Sequence, residues 1–169
     1  PLPRPDWPGP PARPLPPMTD VRPADPGRLL ASGLPETDYV DAFLGEFGAT
    51  REAPRLFRDA TGTVVVISAE LFRQSDGVLK VTKRGRERLM LLLADALKDP
   101  DEVWADWTRL RDGTWSLRRR YLRRLALPEG DGIAVFEWTR GGWEGTTVFR
   151  ADAGYLEGQR KGALLFRRP

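Results

Sequence analysis

The sequence predicts an α+β domain in which an N-terminal hairpin and helices pack on a four- to five-stranded antiparallel sheet. Three observations lead there. Before Pro100, apolar residues recur at three- and four-residue spacing in two stretches, as they do on one face of a helix. After Pro100, β-branched and aromatic runs are broken by turn residues. Arg140-Gly141-Gly142 then sits between two such runs, as a hairpin turn would.

Residues 1–34 read as a tail. Pro1, Pro3, Pro5, Pro8, Pro10, Pro11, Pro14, Pro16 and Pro17 remove backbone donors and favour extended polyproline II, which suits a stiff spacer. The domain is expected over 35–169. Tyr39, Val40, Phe43, Leu44 and Phe47 predict an amphipathic helix ending near Gly48. Arg55–Arg58 and Thr63–Ile67 flank a Gly-containing turn and predict a hairpin, after which Ser68 is placed to cap a short helix over Ala69–Gln74. Lys83–Lys98 predicts the longest helix, with Thr82 as N-cap, Leu89, Leu92, Leu93, Ala96 and Leu97 on one face, and Asp99-Pro100 as its end. Strands are expected at Glu102–Thr108, Trp115–Leu125, Gly132–Thr139, Trp143–Arg150 and Ala163–Arg167.

Composition excludes several chemistries. The 169 residues contain no cysteine and no histidine, so thiolate chemistry, disulfides and imidazole acid-base catalysis are absent. No apolar run is long enough to cross a membrane, and none is expected as a partner. The net charge is +3, with acidic and basic residues balanced up to Pro100 and the excess beyond it. The chain begins at Pro1 without methionine, which reads as a piece of a larger polypeptide.

That excess includes a ladder, Arg118-Arg119-Arg120-Tyr121-Leu122-Arg123-Arg124. Guanidinium forks match phosphate oxygens and aromatic rings stack on bases, so RNA is the expected partner. Strand alternation sets Arg119, Tyr121 and Arg123 on one face and Arg118, Arg120 and Arg124 on the other. Arg119 and Tyr121 are expected to face the ligand, with Arg123 beside them; the competing reading is an edge strand blunted by charge. Glu137 is the lone acid of its strand's interior and is either a catalytic base or a cross-strand ion-pair partner. Trp143, beside a glycine turn, is a base-stacking candidate, and Lys161 lies in a loop able to deliver a cation. Trp104 and Trp107 are expected as core anchors.

A resemblance adds to this. The run Leu91–Trp104, the Arg118–Leu122 segment, Trp143–Phe149 and Gln159–Phe166 together resemble phage nuclease-like domains of the Barnase, EndoU, colicin and RelE (BECR) fold. Such domains often stand at the C-terminus of phage head-morphogenesis proteins of the Mu F type. The similarity runs from about Tyr39 to the end. It implies a metal-independent, effector-type ribonuclease, with tRNA among the candidate substrates, acting in a bacterial cytoplasm or carried in a virion. It also implies an acidic immunity or antitoxin protein as a partner. Thr147, rather than Thr146, and Arg160 correspond to its motif positions.

The mechanism expected from these residues is attack of the ribose 2′-hydroxyl on the phosphodiester. Glu137 accepts the proton, Arg119 and Arg160 stabilise the phosphorane, Thr147 contacts the phosphate, and Tyr121 or Lys161 serves the leaving oxygen. No cofactor and no metal enter this reading. Two alternatives stay open: a non-catalytic module binding nucleic acid or a virion protein, and an NAD-using ADP-ribosyltransferase built on Arg119, Thr146-Thr147 and Glu157.

Overall fold

The structure is a computed structural model that describes residues 14–82, 85–127, 130–139, 142–149 and 153–169, with the backbone alone at 127, 142–149 and 153. Strand β1 (Arg22–Pro23) leads to helix α1 (Glu36–Gly45), the hairpin strands β2 (Arg55–Arg58) and β3 (Val64–Ile67), and helix α2 (Met90–Lys98). Strands β4 (Glu102–Arg109), β5 (Trp115–Leu127), β6 (Gly130–Thr139) and β7 (Gly142–Phe149) follow, then helix α3 (Ala153–Gln159) and strand β8 (Ala163–Arg167). The main sheet has the order β7-β6-β5-β4-β8 with antiparallel neighbours. Where β5 runs on past the start of β4, β1 takes the vacant edge in parallel, Arg22 opposite Leu125. The class is α+β, as the periodicities predict, with this short parallel pairing added.

α1 and α2 lie on one face of the sheet, called the inner face below. Tyr39, Phe43, Leu44, Leu92, Leu93 and Leu97 bury against Val103, Tyr121, Leu125 and Phe136. Phe43 stacks on Phe136 with ring centroids 5.7 Å apart and meets Phe72 edge-on at 5.1 Å, geometries that the ring quadrupoles favour. The opposite, outer face carries a smaller apolar cluster of Trp104, Leu122, Ile133 and Val135. Tyr155 and Leu156 of α3 and Leu164 of β8 pack onto it. Burying each face of β5 in this way divides the arginine ladder between two environments.

The expected helix over Lys83–Lys98 is shorter. Gly85 adopts φ 80°, Arg86–Leu89 forms a 3-10 turn, and the α-helix begins at Met90. Lys83 and Arg84 lie outside the described residues. Thr82 does not stand at the helix start; its backbone N–H donates to Glu36. Ala69–Phe72 is likewise a 3-10 turn, without a side-chain cap from Ser68. α3 and β1 were not expected: a seven-residue helix rich in glycine and a two-residue strand have too little periodicity to register in sequence.

The described part of the proline-rich segment lies against the domain. Arg28 pairs with Asp95 at 2.6 Å and with Glu46, joining the segment to α2 and to the end of α1. Tyr39 donates its hydroxyl to the Ala31 carbonyl at 2.6 Å. Leu29 and Leu30 pack on the inner core.

Candidate active site on the outer face of the sheet

Register assigns each candidate to a face. On β5, Arg119 and Tyr121 pair with Ala105 and Val103 of β4 and with Trp138 and Phe136 of β6, all on the inner face. Arg118, Arg120 and Leu122 pair with Asp106, Trp104 and Glu102, and Arg120 and Leu122 with Glu137 and Val135, all on the outer face. Arg119 and Tyr121 are therefore on the opposite side of the sheet from Glu137 and Arg160, and the expected convergence does not occur. The physical reason is volume: a face covered by two helices takes the tyrosine ring, and the neighbouring odd positions go with it.

Arg119 and Tyr121 belong to a buried polar knot under the β2–β3 turn. The Asp59 carboxylate accepts from the Tyr121 hydroxyl and the Thr61 hydroxyl, each at 2.6 Å, and from the Arg119 guanidinium at 3.2 Å. The Thr61 and Thr63 amides also donate to it, each at 2.9 Å. Burial acts to raise the Asp59 pKa, yet the hydrogen bonds from Thr61, Tyr121 and the turn amides prevail and hold it below the usual carboxylate range. Burial, reinforced by the Asp59 hydrogen bond and charge, pushes the Tyr121 hydroxyl well above its ordinary value. A fully buried phenol held protonated in this way anchors the hairpin and does not reach solvent.

The other inner-face candidate, Arg123, donates to the Asp99 carbonyl and carboxylate, each at 3.2 Å, at the C-terminal end of α2. The backbone of β7 sets Thr147 opposite Ala134 and Trp143 opposite Trp138. The side chains of both, with Thr146, lie outside the described residues. For the NAD-using alternative, Arg119 lies on the inner face and Glu157 pairs with Arg160 on the outer face, so these two groups are separated by the sheet.

On the outer face charges of both signs interleave across three strands. Asp106 of β4 takes Arg118 of β5 in a two-pronged pair, at 2.9 Å to Nε and 2.7 Å to Nη2. Arg118 Nη1 stands 3.7 Å from Glu137 Oε1 on β6. Arg120, next along the same face, donates to the Lys161 carbonyl at 2.8 Å and lies 3.5 Å from Asp106. Its Nε is buried without a hydrogen-bond partner among the described residues. Burial pulls the Arg120 pKa down, with the Arg118 charge adding to it. Arg118 and Glu137 each keep 24% side-chain exposure, so a ligand can reach them.

Beside this group lies a more deeply buried pair. Arg160 contacts Glu102 at 2.9 Å with side-chain exposures of 2% and 0%. The Trp104 indole donates to Glu102 at 3.1 Å, and the Arg160 guanidinium lies 5.8 Å from the Trp104 ring centre. Glu157 takes the outer edge of Arg160 at 3.1 Å. The loop that delivers Arg160 crosses β4 closely: at Gly162, φ is 88° and a Cβ would come 2.1 Å from the Ala105 carbonyl oxygen. Only glycine fits there. Lys161, between them, is exposed.

Trp104 is the core anchor that its sequence position suggested, at 3% exposure, whereas Trp107 is 37% exposed. Asp106 and the even-numbered arginines were the residues that sequence reasoning passed over. Their signal was present: Asp106 is a carboxylate inside a strand-forming run, where it needs a cation on a neighbouring strand.

The domain is thus an α+β sheet with α1 and α2 on one face and, on the other, α3 beside an arginine–carboxylate array. The family model described as phage-Barnase-EndoU-ColicinE5/D-RelE like nuclease2 matches residues 42–167, and the chain belongs to that family. No curated protein and no solved structure matches it.

Proposed function

We propose that this nuclease domain is a ribonuclease whose active site is the outer-face group Arg118, Arg120 and Glu137. The observation that carries this reading is a partly exposed carboxylate held 3.7 Å from a guanidinium on the neighbouring strand, with a second guanidinium buried next to it. RNA supplies its own nucleophile. Glu137 takes the proton of the 2′-hydroxyl as its oxygen bonds to phosphorus and the bond to the 5′-oxygen breaks. Arg118 and Arg120 offset the negative charge that builds on the phosphorane oxygens, where fixed cations in a dehydrated site act most strongly.

Lys161, exposed in the loop beside Arg160, is the group that serves the departing 5′-oxygen, since Tyr121 is sealed beneath the hairpin. Arg160 supports the site from its buried pair with Glu102, through the Lys161 carbonyl that Arg120 holds. No metal takes part in these steps. An acidic protein that covers Arg118 and Glu137's rim of cations is the matching inhibitor partner.

The test is digestion of total tRNA by the purified chain in excess EDTA. Fragments ending in 2′,3′-cyclic phosphate are expected, and Glu137→Gln is expected to abolish them. Salt-sensitive RNA binding without turnover in either protein would instead favour the non-catalytic module.

A further inference from the structure

The proline-rich segment crosses the outer face on its way to β1. Arg160 Nη2 donates to the Pro16 carbonyl and Arg124 Nη1 donates to the Thr19 carbonyl at 2.9 Å. Both arginines are outer-face groups: Arg160 lies against Trp104 and Glu102, and Arg124 is the next outer-face position of β5 after Leu122. Arg22 then fastens the segment by pairing with Asp101 at 3.0 Å and with Asp99.

The composition of the segment suits this place. A proline has a carbonyl and no N–H, so the stretch Pro14-Leu15-Pro16-Pro17 offers acceptors with few donors. Guanidinium groups are donors without acceptors. The two are complementary in the same sense as a guanidinium and the phosphate oxygens of a nucleic acid, but the peptide brings no charge. Its grip is therefore weaker than that of a polyanion on the same arginines.

We propose that Arg124 and Arg160 form a docking site for this chain's own segment 14–20, which lies over these two arginines of the outer face and is displaced when an oligonucleotide enters. The proposal rests on the outer face being the RNA site. The strap holds the arginines in place of phosphate in the free protein, and RNA exchanges one set of oxygen acceptors for another.

The whole chain tests it. Because the chain contains no cysteine, Leu15→Cys, at a 41% exposed position, gives a unique attachment point for a fluorophore. A 2′-O-methyl oligonucleotide, which cannot be cleaved, is titrated in while the anisotropy of the dye is followed. The anisotropy is expected to fall to a plateau as the strap is released, and it would rise or stay constant if RNA bound without displacing it. A Pro16→Gly, Pro17→Gly chain, whose strap is looser, is expected to bind the oligonucleotide about fivefold more tightly. Constant or rising anisotropy, equal affinity of the two chains, or no binding by either overturns the proposal. Cleavage of unmodified RNA is scored separately: cleavage with an undisplaced dye sinks the strap alone, and displacement without cleavage sinks the ribonuclease reading alone.

Discussion

Arg118 joins two carboxylates from different strands, holding Asp106 on β4 with two nitrogens at 2.9 and 2.7 Å and approaching Glu137 on β6 to 3.7 Å with the third. The first contact is two-pronged and fixes the plane of the guanidinium, and the second is longer and lies at the solvent edge. A phosphate oxygen can therefore compete for the outer nitrogen while Asp106 keeps the side chain in place.

Glu137→Gln keeps the shape of the side chain and removes its charge. RNA cleavage is expected to fall by about 10²–10⁴-fold, the usual worth of a positioned base, with the thermal midpoint little changed. The comparison of initial rates with the unfolding curve decides it, because a large loss of stability would mean that Glu137 acts only as an ion-pair partner.

Arg118→Lys keeps the charge and loses the fork that grips Asp106. A drop of about 10²-fold in kcat, with KM for a short RNA changed far less, is the expected result. Asp106→Asn should show a smaller loss in the same direction, since it frees Arg118 to turn without removing it.

Arg160→Ala leaves the Glu102 carboxylate buried without its cation. The cost is expected at about 3–5 kcal/mol of folding stability, measured by denaturant unfolding, so loss of activity in this variant is not by itself evidence of a catalytic arginine. Arg160→Met combined with Glu102→Gln should recover much of the stability. A lone Arg160→Ala chain as stable as the parent would contradict the buried pairing.

Tyr121→Phe removes the hydroxyl that donates to Asp59 and is expected to cost about 1.5–3 kcal/mol near neutral pH, as hydrogen bonds to charged groups do. The pH dependence has a definite sign. Tyr121 has its folded pKa raised, so its contribution is complete below the unfolded value of about 10 and is lost as the pH rises above it. Asp59 has its folded pKa lowered, so its contribution is present above the unfolded value of about 3.9 and is lost as the pH falls below it. Chemical denaturation across pH should show the parent losing stability above about pH 10 more steeply than the Phe variant.

Much of the architecture was legible because its causes are local. The β2–β3 hairpin needs only two apolar runs and a glycine turn, and the five strands after Pro100 follow from alternation and turn residues. α2 was legible in type and at its C-terminal end, yet Gly85 in a left-handed conformation moved its start to Met90. α3 was not legible, since its apolar contacts, Tyr155 and Leu156, bury only because Trp104, Leu122, Ile133 and Val135 offer a second core on the outer face.

The sequence by itself determined that Arg118–Arg124 is a strand, and hence that Arg119, Tyr121 and Arg123 part company with Arg118, Arg120 and Arg124. Period-2 geometry requires it. Only the tertiary structure decided which set meets the helices. Tyr121 goes inward because the α1 and α2 layer, with Phe136 beside it, encloses an aromatic ring whose hydroxyl finds Asp59. Arg118 and Arg120 go outward because Asp106 and Glu137, on the two flanking strands, stand on that face to pair them. Alternation is a property of one strand, whereas the choice of face depends on partners that only the folded sheet brings together.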